Sequence, residues 1–454
     1  MAVSVIGAGL AGCEAAWQLA CRGIPVTLYE MKPVKYSPAH HYEGFAELVC
    51  SNSLKANRTG SAAGLLKEEM YRLGSIVVRC ARETAVPAGG ALAVDRYLFS
   101  DRMTQMIKGH PLIAVHCEEV TAIPQGPVIV ATGPLTSDRF SKAIGALLGE
   151  AYLSFYDAAS PIVSFDSIDM EKAFFAARYG RGEDDYINCP MNREEYEAFH
   201  EALVAGESVE LKEFERDRLK VYEGCMPVEV LARRGSDSIR YGPLKPVGLR
   251  DPRTGRRPWA VVQLRAENTQ KTLYNLVGFQ TNLRFPEQKR IFSMIPGLEN
   301  AAFVRYGVMH RNTFLNSPKL LDATYCLKQD RRIYFAGQMT GVEGYVESAA
   351  SGILAGINMA MTLQDKPALI LPRDTMMGAL AAYISDPSVT DFQPMGSNMG
   401  LLPPNPERIK DKALRYQAVA DRALDSLGCC IKDFCAQTND PFLTDETEMG
   451  GENQ

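Results

Sequence analysis

Residues 3 to 30 run in the order strand, glycine-rich turn, helix, strand, acid, and few folds accept that order. Val3-Ser4-Val5-Ile6 is a short apolar run rich in β-branched residues, and Gly7-Ala8-Gly9-Leu10-Ala11-Gly12 follows at once. A helical stretch from Cys13 to Arg22 stops at Gly23, and Val26-Thr27-Leu28-Tyr29 leads into Glu30. Each part suits a nucleotide-binding βαβ unit. Gly7 permits the tight turn, Gly9 lets the backbone approach a pyrophosphate, and Gly12 lets helix and strand pack closely. The helix N-terminus faces the phosphates, and Glu30 accepts from ribose hydroxyls. A G-x-G-x-x-G alone is a weak sign, but here both flanks agree with it. It specifies a dinucleotide and leaves open which one.

The chain has 454 residues, enough for two or three domains, with the apolar and charged fractions of a globular protein. Its net charge of −5 argues against nonspecific wrapping of nucleic acid and says nothing of a local basic patch. No uninterrupted apolar run reaches the roughly 18 residues of a membrane span. The N-terminus lacks a basic leader and reads as the first strand, not a signal peptide. Eleven cysteines, scattered and without a C-x-x-C pair, fit reduced thiols in a cytoplasmic setting and no structural metal.

Residues 1 to about 165 alternate strands and helices. Leu65 to Leu73 is a short helix stopped by Gly74, Asp95 caps a helix running to about Ile107, and Val128 to Thr132 is a buried parallel strand ending at Gly133. The middle holds a charged helical region, Asn192 to Leu219. The last third returns to the first pattern, with a strand Arg332 to Ala336, a turn Gly337 to Tyr345, and a small-residue helix Glu347 to Met361. A tail helix is expected from Pro406 to about Leu427. A late glycine turn at Gly337-Gln338 suits the flavin end of an extended FAD, which a plain NAD domain does not need. The expected fold is α/β. It is a Rossmann-like FAD-binding domain of the glutathione-reductase type with an inserted α+β domain. The expected bounds are 1–165 and 325–454 for the FAD-binding parts, the second carrying the C-terminal helix, and 166–324 for the RNA- or substrate-binding insert.

Two cysteines sit in settings that favour a thiolate. Cys225 precedes Pro227, which fits the first position of a helix that Gly235 stops; Glu223 and Glu229 oppose the effect of the helix dipole there. Cys50 lies in a polar loop with Lys55 and Arg58 nearby. His310 has no metal-spaced partner and reads first as a structural histidine. No H-E-x-x-H, G-x-S-x-G or zinc-deaminase pattern occurs. Residues 231–265 carry nine basic residues against two acidic ones, a local charge of +7. Eight of the nine are arginine, including Arg233, Arg234, Arg256, Arg257 and Arg265, which suits planar recognition of phosphate. Tyr241 and Trp259 lie among them and can stack on bases.

These residues together resemble the folate- and FAD-dependent tRNA (uracil-5-)-methyltransferases over essentially the whole chain. The matching segments are Val5 to Gly12, Phe45 to Lys55, Tyr222 to Gly235, Gly337 to Gly352, Phe392 to Met395 and Asn398 to Gly400. The two cysteine segments are the specific ones; the glycine motifs are common to many flavoproteins. The resemblance implies formation of 5-methyluridine, ribothymidine, at position 54 of the tRNA T loop. It implies 5,10-methylenetetrahydrofolate as carbon donor and FAD reduced by NAD(P)H as hydride source. By the same resemblance Cys225 attacks C6 of uracil, and Cys50 works at the flavin, holding the one-carbon unit or removing the C5 proton. His310 and Tyr345 lie near the flavin and folate rings, and the Arg-rich stretch meets tRNA phosphates. FAD is held by Gly7, Ala8, Gly9, Leu10, Ala11, Gly12, Glu30, Gly133, Gly337 and Gln338.

Other readings remain open in the sequence. A homologue acting on ribosomal RNA is one. The sister family that installs carboxymethylaminomethyl groups on wobble uridines shares Ala336 to Gly352 but is longer. A small-molecule flavin oxidoreductase explains the glycine turn, though not the basic stretch or the match around Cys225. A flavoprotein that only binds RNA does not need both Cys50 and Cys225.

Overall fold

The computed structural model describes residues 2–149, 152–158, 160–180, 183–209, 226–266, 271–307, 309–389, 392–406, 409–440 and 442–443, with 152–158 and 309–313 as backbone only. A six-stranded sheet is assembled from both ends of the chain. Its spatial order is Cys326–Leu327, Asp330–Phe335, Val128–Val130, Val3–Ile6, Val26–Glu30 and Ile113–Cys117. All neighbours are parallel except the first pair. A parallel sheet is covered on both faces, so the central stretches of its strands are apolar. Val3, Val5, Val128, Ile129, Val130, Ile333 and Phe335 are accordingly fully buried.

Helices Leu10–Cys21 and Tyr345–Leu363 pack against each other at glycines. A side chain on Gly352 would overlap the Ala11 carbonyl, and one on Gly356 would come within 2.8 Å of the Ala15 carbonyl oxygen. This close approach explains the late helix's alanine and glycine content. The pairing of Ala11 with Gly352 and Ala15 with Gly356 makes the helices run the same way. Tyr345–Leu363 has the length and hydropathy of a membrane span, yet 89% of that window is buried inside the fold.

A second six-stranded sheet, antiparallel throughout, is built wholly from residues 162–305. Its order is Phe174–Phe175, Tyr186–Met191, Ala260–Ala266, Leu273–Leu276, Ile162–Ser164, Phe303–Arg305. It has its own core, with Phe199, Phe279, Phe292 and Tyr274. Strands Tyr152–Ala158 and Met309–Leu315 pair antiparallel and carry the chain out to this sheet and back. A small antiparallel sheet of Ser53–Ala56, Ala91–Val94 and Ala85–Val86 stands beside the first.

Several elements differ from the sequence expectation. The charged helix spans Arg193–Ala205, opened by a reciprocal cap between Asn192 and Glu195. It stops at Gly206, where Leu283 and Ile291 close over the backbone; residues 210–219 lie outside the described set. The tail helix is Lys412–Thr438, starting at the Asp411 cap rather than Pro406. It runs past Leu427 because Ile431 and Phe434 continue the buried stripe of Val419, Ala420, Ala423 and Leu427. The helix after Cys225 is only Val228–Ala232, with Pro227 at its N-cap and not its first turn.

Candidate functional site

The glycine turn opens on a groove that runs from Glu30 and Gly9 to Gly133 and Gln338. Gly7 has φ +99°, and a Cβ there would lie 2.7 Å from the Ala131 carbonyl oxygen. A Cβ on Gly12 would overlap the Gly7 carbonyl, so this glycine joins helix to strand. Gly9 meets nothing within 4 Å: it caps the helix Leu10–Cys21 and leaves its backbone bare to the groove. Glu30 braces the turn, accepting from the Ala8 N–H at 2.9 Å and the Lys32 N–H at 3.0 Å, and it also lines the groove.

The groove continues past Gly133 (φ +69°) to Gly337 and Gln338, and on to Tyr345 and Ser348. The Gly337 N–H donates to Ser351 Oγ at 2.7 Å, and Gln338 donates to Glu343 Oε1 at 2.9 Å. The sheet brings these late residues to the early turn because Asp330–Phe335 pairs with Val128–Val130, which pairs with Val3–Ile6. Ala8, Leu10 and Ala11 line the same wall. An elongated groove with a bare backbone at Gly9, two helix N-termini along it and an acid at one end fits an extended flavin dinucleotide. Sequence reasoning missed Lys32, His40 and Glu47, which also line it. Lys32 Nζ donates to the Gly44 carbonyl at 2.6 Å and pairs with Glu47 at 3.4 Å. Burial lowers the pKa of His40, which contacts Ser37 Oγ at 2.5 Å.

Cys50 stands beside this groove, next to Val49 in its wall. The Tyr345 hydroxyl accepts from the N–H of Cys50 at 2.7 Å and from that of Ser51 at 3.4 Å. Burial pushes the Tyr345 phenol well above its ordinary pKa, keeping it neutral. Arg96 donates to the carbonyls of Leu48 and Val49, and Arg305 Nη2 donates to that of Val49 at 2.6 Å. Arg265 donates from Nε to Asn52 Oδ1 at 3.0 Å and from Nη2 to Ser51 Oγ at 2.6 Å. The expected neighbours, Lys55 and Arg58, are not part of this clamp. Lys55 instead pairs with buried Glu347 at 2.6 Å.

Cys225 lies outside the described residues. The helix that follows it has five residues, a short source for the dipole effect expected there. Glu229, expected to oppose that effect, is buried and accepts from Thr281 Oγ1 at 2.8 Å and the Asn282 N–H at 2.7 Å; burial raises its pKa. His310 sits in strand Met309–Leu315 opposite Asp157.

The basic stretch divides in three. Arg265 is buried at the Cys50 loop. Arg240 lies 3.9 Å over the Trp259 ring, with Arg193 at 5.4 Å, and Arg253 forms two bonds to Asp251. Guanidinium groups of Arg240 and Arg193 thus lie against the ring of Trp259. Arg233, Arg234, Arg256 and Arg257 are exposed, as is Tyr241.

Comparison with known proteins adds three findings. The family model described as Glucose inhibited division protein A matches residues 2–367. The methylenetetrahydrofolate--tRNA-(uracil-5-)-methyltransferase TrmFO of Acetivibrio thermocellus is 62% identical over 426 residues, 94% of this chain and 97% of that protein. Its counterpart in Enterococcus faecalis is 59% identical, covering 93% and 97%. Among solved structures, GidA of Aquifex aeolicus in its form II crystal aligns with a TM-score of 0.70 at 17% identity. That alignment covers 98% of this chain and 76% of the other. At that identity the likeness is one of fold.

Proposed function

Because the chain belongs to the glucose inhibited division protein A family, and within it to the TrmFO methyltransferases, we propose that its groove and Cys50 loop form the site of methyl transfer to a T-loop uridine. The protein is a flavoprotein that methylates C5 of uracil in tRNA with carbon from methylenetetrahydrofolate. Our finer reading places the product, ribothymidine, at position 54 and takes the reducing equivalents from NAD(P)H. The proposal that the groove and the Cys50 loop are the site of methyl transfer is supported by that loop, held against Tyr345 at the edge of the nucleotide groove.

Bound flavin supplies the two-electron reduction that completes the methyl group. The protein's own residues do the rest. Gly7, Ala8, Gly9, Leu10, Ala11 and Gly12 hold the pyrophosphate against the helix N-terminus, Glu30 takes the ribose, and Gly133, Gly337 and Gln338 hold the far end. Uracil C5 is a weak nucleophile. Addition of the Cys225 thiolate to C6 would move an electron pair toward C5 and let that carbon attack a one-carbon electrophile; loss of the C5 proton would then expel the carrier of that carbon, and reduction of the exocyclic methylene would restore the C5–C6 double bond as the thiolate leaves C6. Cys50 holds the one-carbon unit or takes the C5 proton. By the family resemblance, His310 and Tyr345 would lie near the flavin and folate rings. The uridine reaches them flipped out of the T loop, while Arg233, Arg234, Arg256 and Arg257 contact tRNA phosphates.

The test is mass spectrometry of an unmodified tRNA transcript incubated with enzyme, NADPH and methylenetetrahydrofolate labelled in its methylene carbon. Label on C5 of uridine 54 is the expected result, and Cys225→Ala abolishes it while flavin is retained. Oxidation of NADPH without label in tRNA overturns the reading in favour of a small-molecule oxidoreductase. Label in a ribosomal RNA fragment but not in tRNA overturns the choice of target. Full activity in Cys225→Ala overturns the role of that thiol.

A further inference from the structure

We propose that Arg265, with Asn52 as its relay, is a positioning residue through which the inserted sheet sets the Cys50 loop for catalysis. The inference rests on the role given to Cys50 above. In sequence Arg265 is the last member of the basic run and reads as a phosphate ligand. In the fold it is 7% exposed and points away from any such role. Its guanidinium spans two adjacent residues of the loop, Ser51 Oγ at 2.6 Å and Asn52 Oδ1 at 3.0 Å. Asn52, fully buried, sends its amide the other way, to the carbonyls of Ala266 at 2.7 Å and Val94 at 3.0 Å.

The loop is thus tied to two separate sheets at one residue. Val94 ends a strand of the small sheet, and Ala266 ends strand Ala260–Ala266 of the insert. Arg305, from the insert's edge strand, adds a third tie at the Val49 carbonyl. The residues on either side of Cys50 therefore have their acceptors held by cations of the insert, while its own N–H is held by Tyr345. A planar guanidinium bonded to two points fixes orientation as well as distance, which a lysine ammonium does not. Any shift of the insert against the nucleotide-binding body moves the Cys50 thiol.

Steady-state kinetics of the full-length flavoprotein distinguishes this from phosphate binding. For Arg265→Gln we expect kcat to fall about 10- to 100-fold, because an ångström of misplacement costs that much. KM for tRNA and its salt dependence stay as in the wild type, because a buried guanidinium touches no phosphate. Flavin content and thermal midpoint are measured on the same samples. Asn52→Ala lowers kcat likewise, and the double variant falls no further than the worse single one, because both act through one linkage. If Arg265→Gln does not fold, Ser51→Ala removes one acceptor alone and still lowers kcat. A raised tRNA KM with unchanged kcat overturns the proposal and returns Arg265 to the RNA surface. Unchanged kcat in both Arg265→Gln and Ser51→Ala overturns it as well. Additive losses in the double variant also overturn it. Cys50→Ala separates the two levels: activity in that variant defeats the role of Cys50. A dead Cys50→Ala beside a fully active Arg265→Gln defeats only the positioning role.

Discussion

The phenolic oxygen of Tyr345 accepts a 2.7 Å hydrogen bond from the backbone nitrogen of Cys50. Tyr345 is the first residue of a helix whose next turns are pressed against the early nucleotide-binding helix. One side chain therefore connects the late helix, and the early helix packed on it, to the Cys50 loop.

Tyr345→Phe keeps the ring and deletes that acceptor. Loss of one such bond is worth about 1.4 kcal/mol, which is roughly a tenfold fall in kcat. Single-turnover methylation of a tRNA transcript measures it, with flavin content as the control for the intact groove.

Two glycines of the same turn have opposite fates. Gly12→Ala drives a methyl into the Gly7 carbonyl, and overpacking of that kind costs about 3 kcal/mol. The expected outcome is a lower thermal midpoint and little bound flavin. Gly9→Ala meets no protein atom within 4 Å. It keeps the thermal midpoint of the flavin-free protein and, on the proposed placing of the pyrophosphate at this turn, weakens flavin binding by on the order of tenfold. Absorbance ratios and flavin titration separate the two.

Glu69 is buried, and its two oxygens accept from the N–H groups of Met376 and Met377 at 2.7 and 2.8 Å. Burial raises its pKa from 4.5 to about 8. A carboxyl whose folded pKa is raised contributes stability that is fully present below the unfolded pKa. That stability is lost as the pH rises to about 8. Glu69→Gln removes one acceptor and the titration together. At pH 5 it is less stable than wild type by roughly 1 kcal/mol, and between pH 5 and about 8 wild type loses about 1.4 kcal/mol per pH unit that the variant does not, so the order reverses. Thermal unfolding at both pH values checks the sign; a wild type that gains on the variant as the pH rises contradicts it.

Replacing Arg233, Arg234, Arg256 and Arg257 by glutamine raises the tRNA KM by about tenfold or more and leaves kcat near wild type. The slope of log KM against log salt falls by roughly 0.7–0.9 for each phosphate that is no longer neutralised. Filter binding across a salt series reads the slope directly.

Much of the nucleotide-binding body was legible because its signals are local. Strand Val3–Ile6, the turn at Gly7 to Gly12 and strand Val26–Glu30 lie within one short segment, and the Asp95 cap sits next to the helix it opens. Tail-helix bounds were less legible, because its last turns are held by the burial of Ile431 and Phe434 and not by a local stop. Arg265 was misread for a related reason. A run of arginines shows charge, and charge alone does not tell a surface cation from one buried against Ser51 and Asn52.

The order of residues was enough to specify the dinucleotide turn, the parallel strands that carry it and the pair of cysteines, since backbone freedom at glycine and apolar periodicity act between near neighbours. What surrounds Cys50 was settled in three dimensions. Its loop is held by Arg96, Arg265, Arg305 and Tyr345, residues far apart in the chain. Their meeting depends on how two sheets and a glycine-packed helix pair are set against one another, and that geometry is a property of packing which no local pattern encodes.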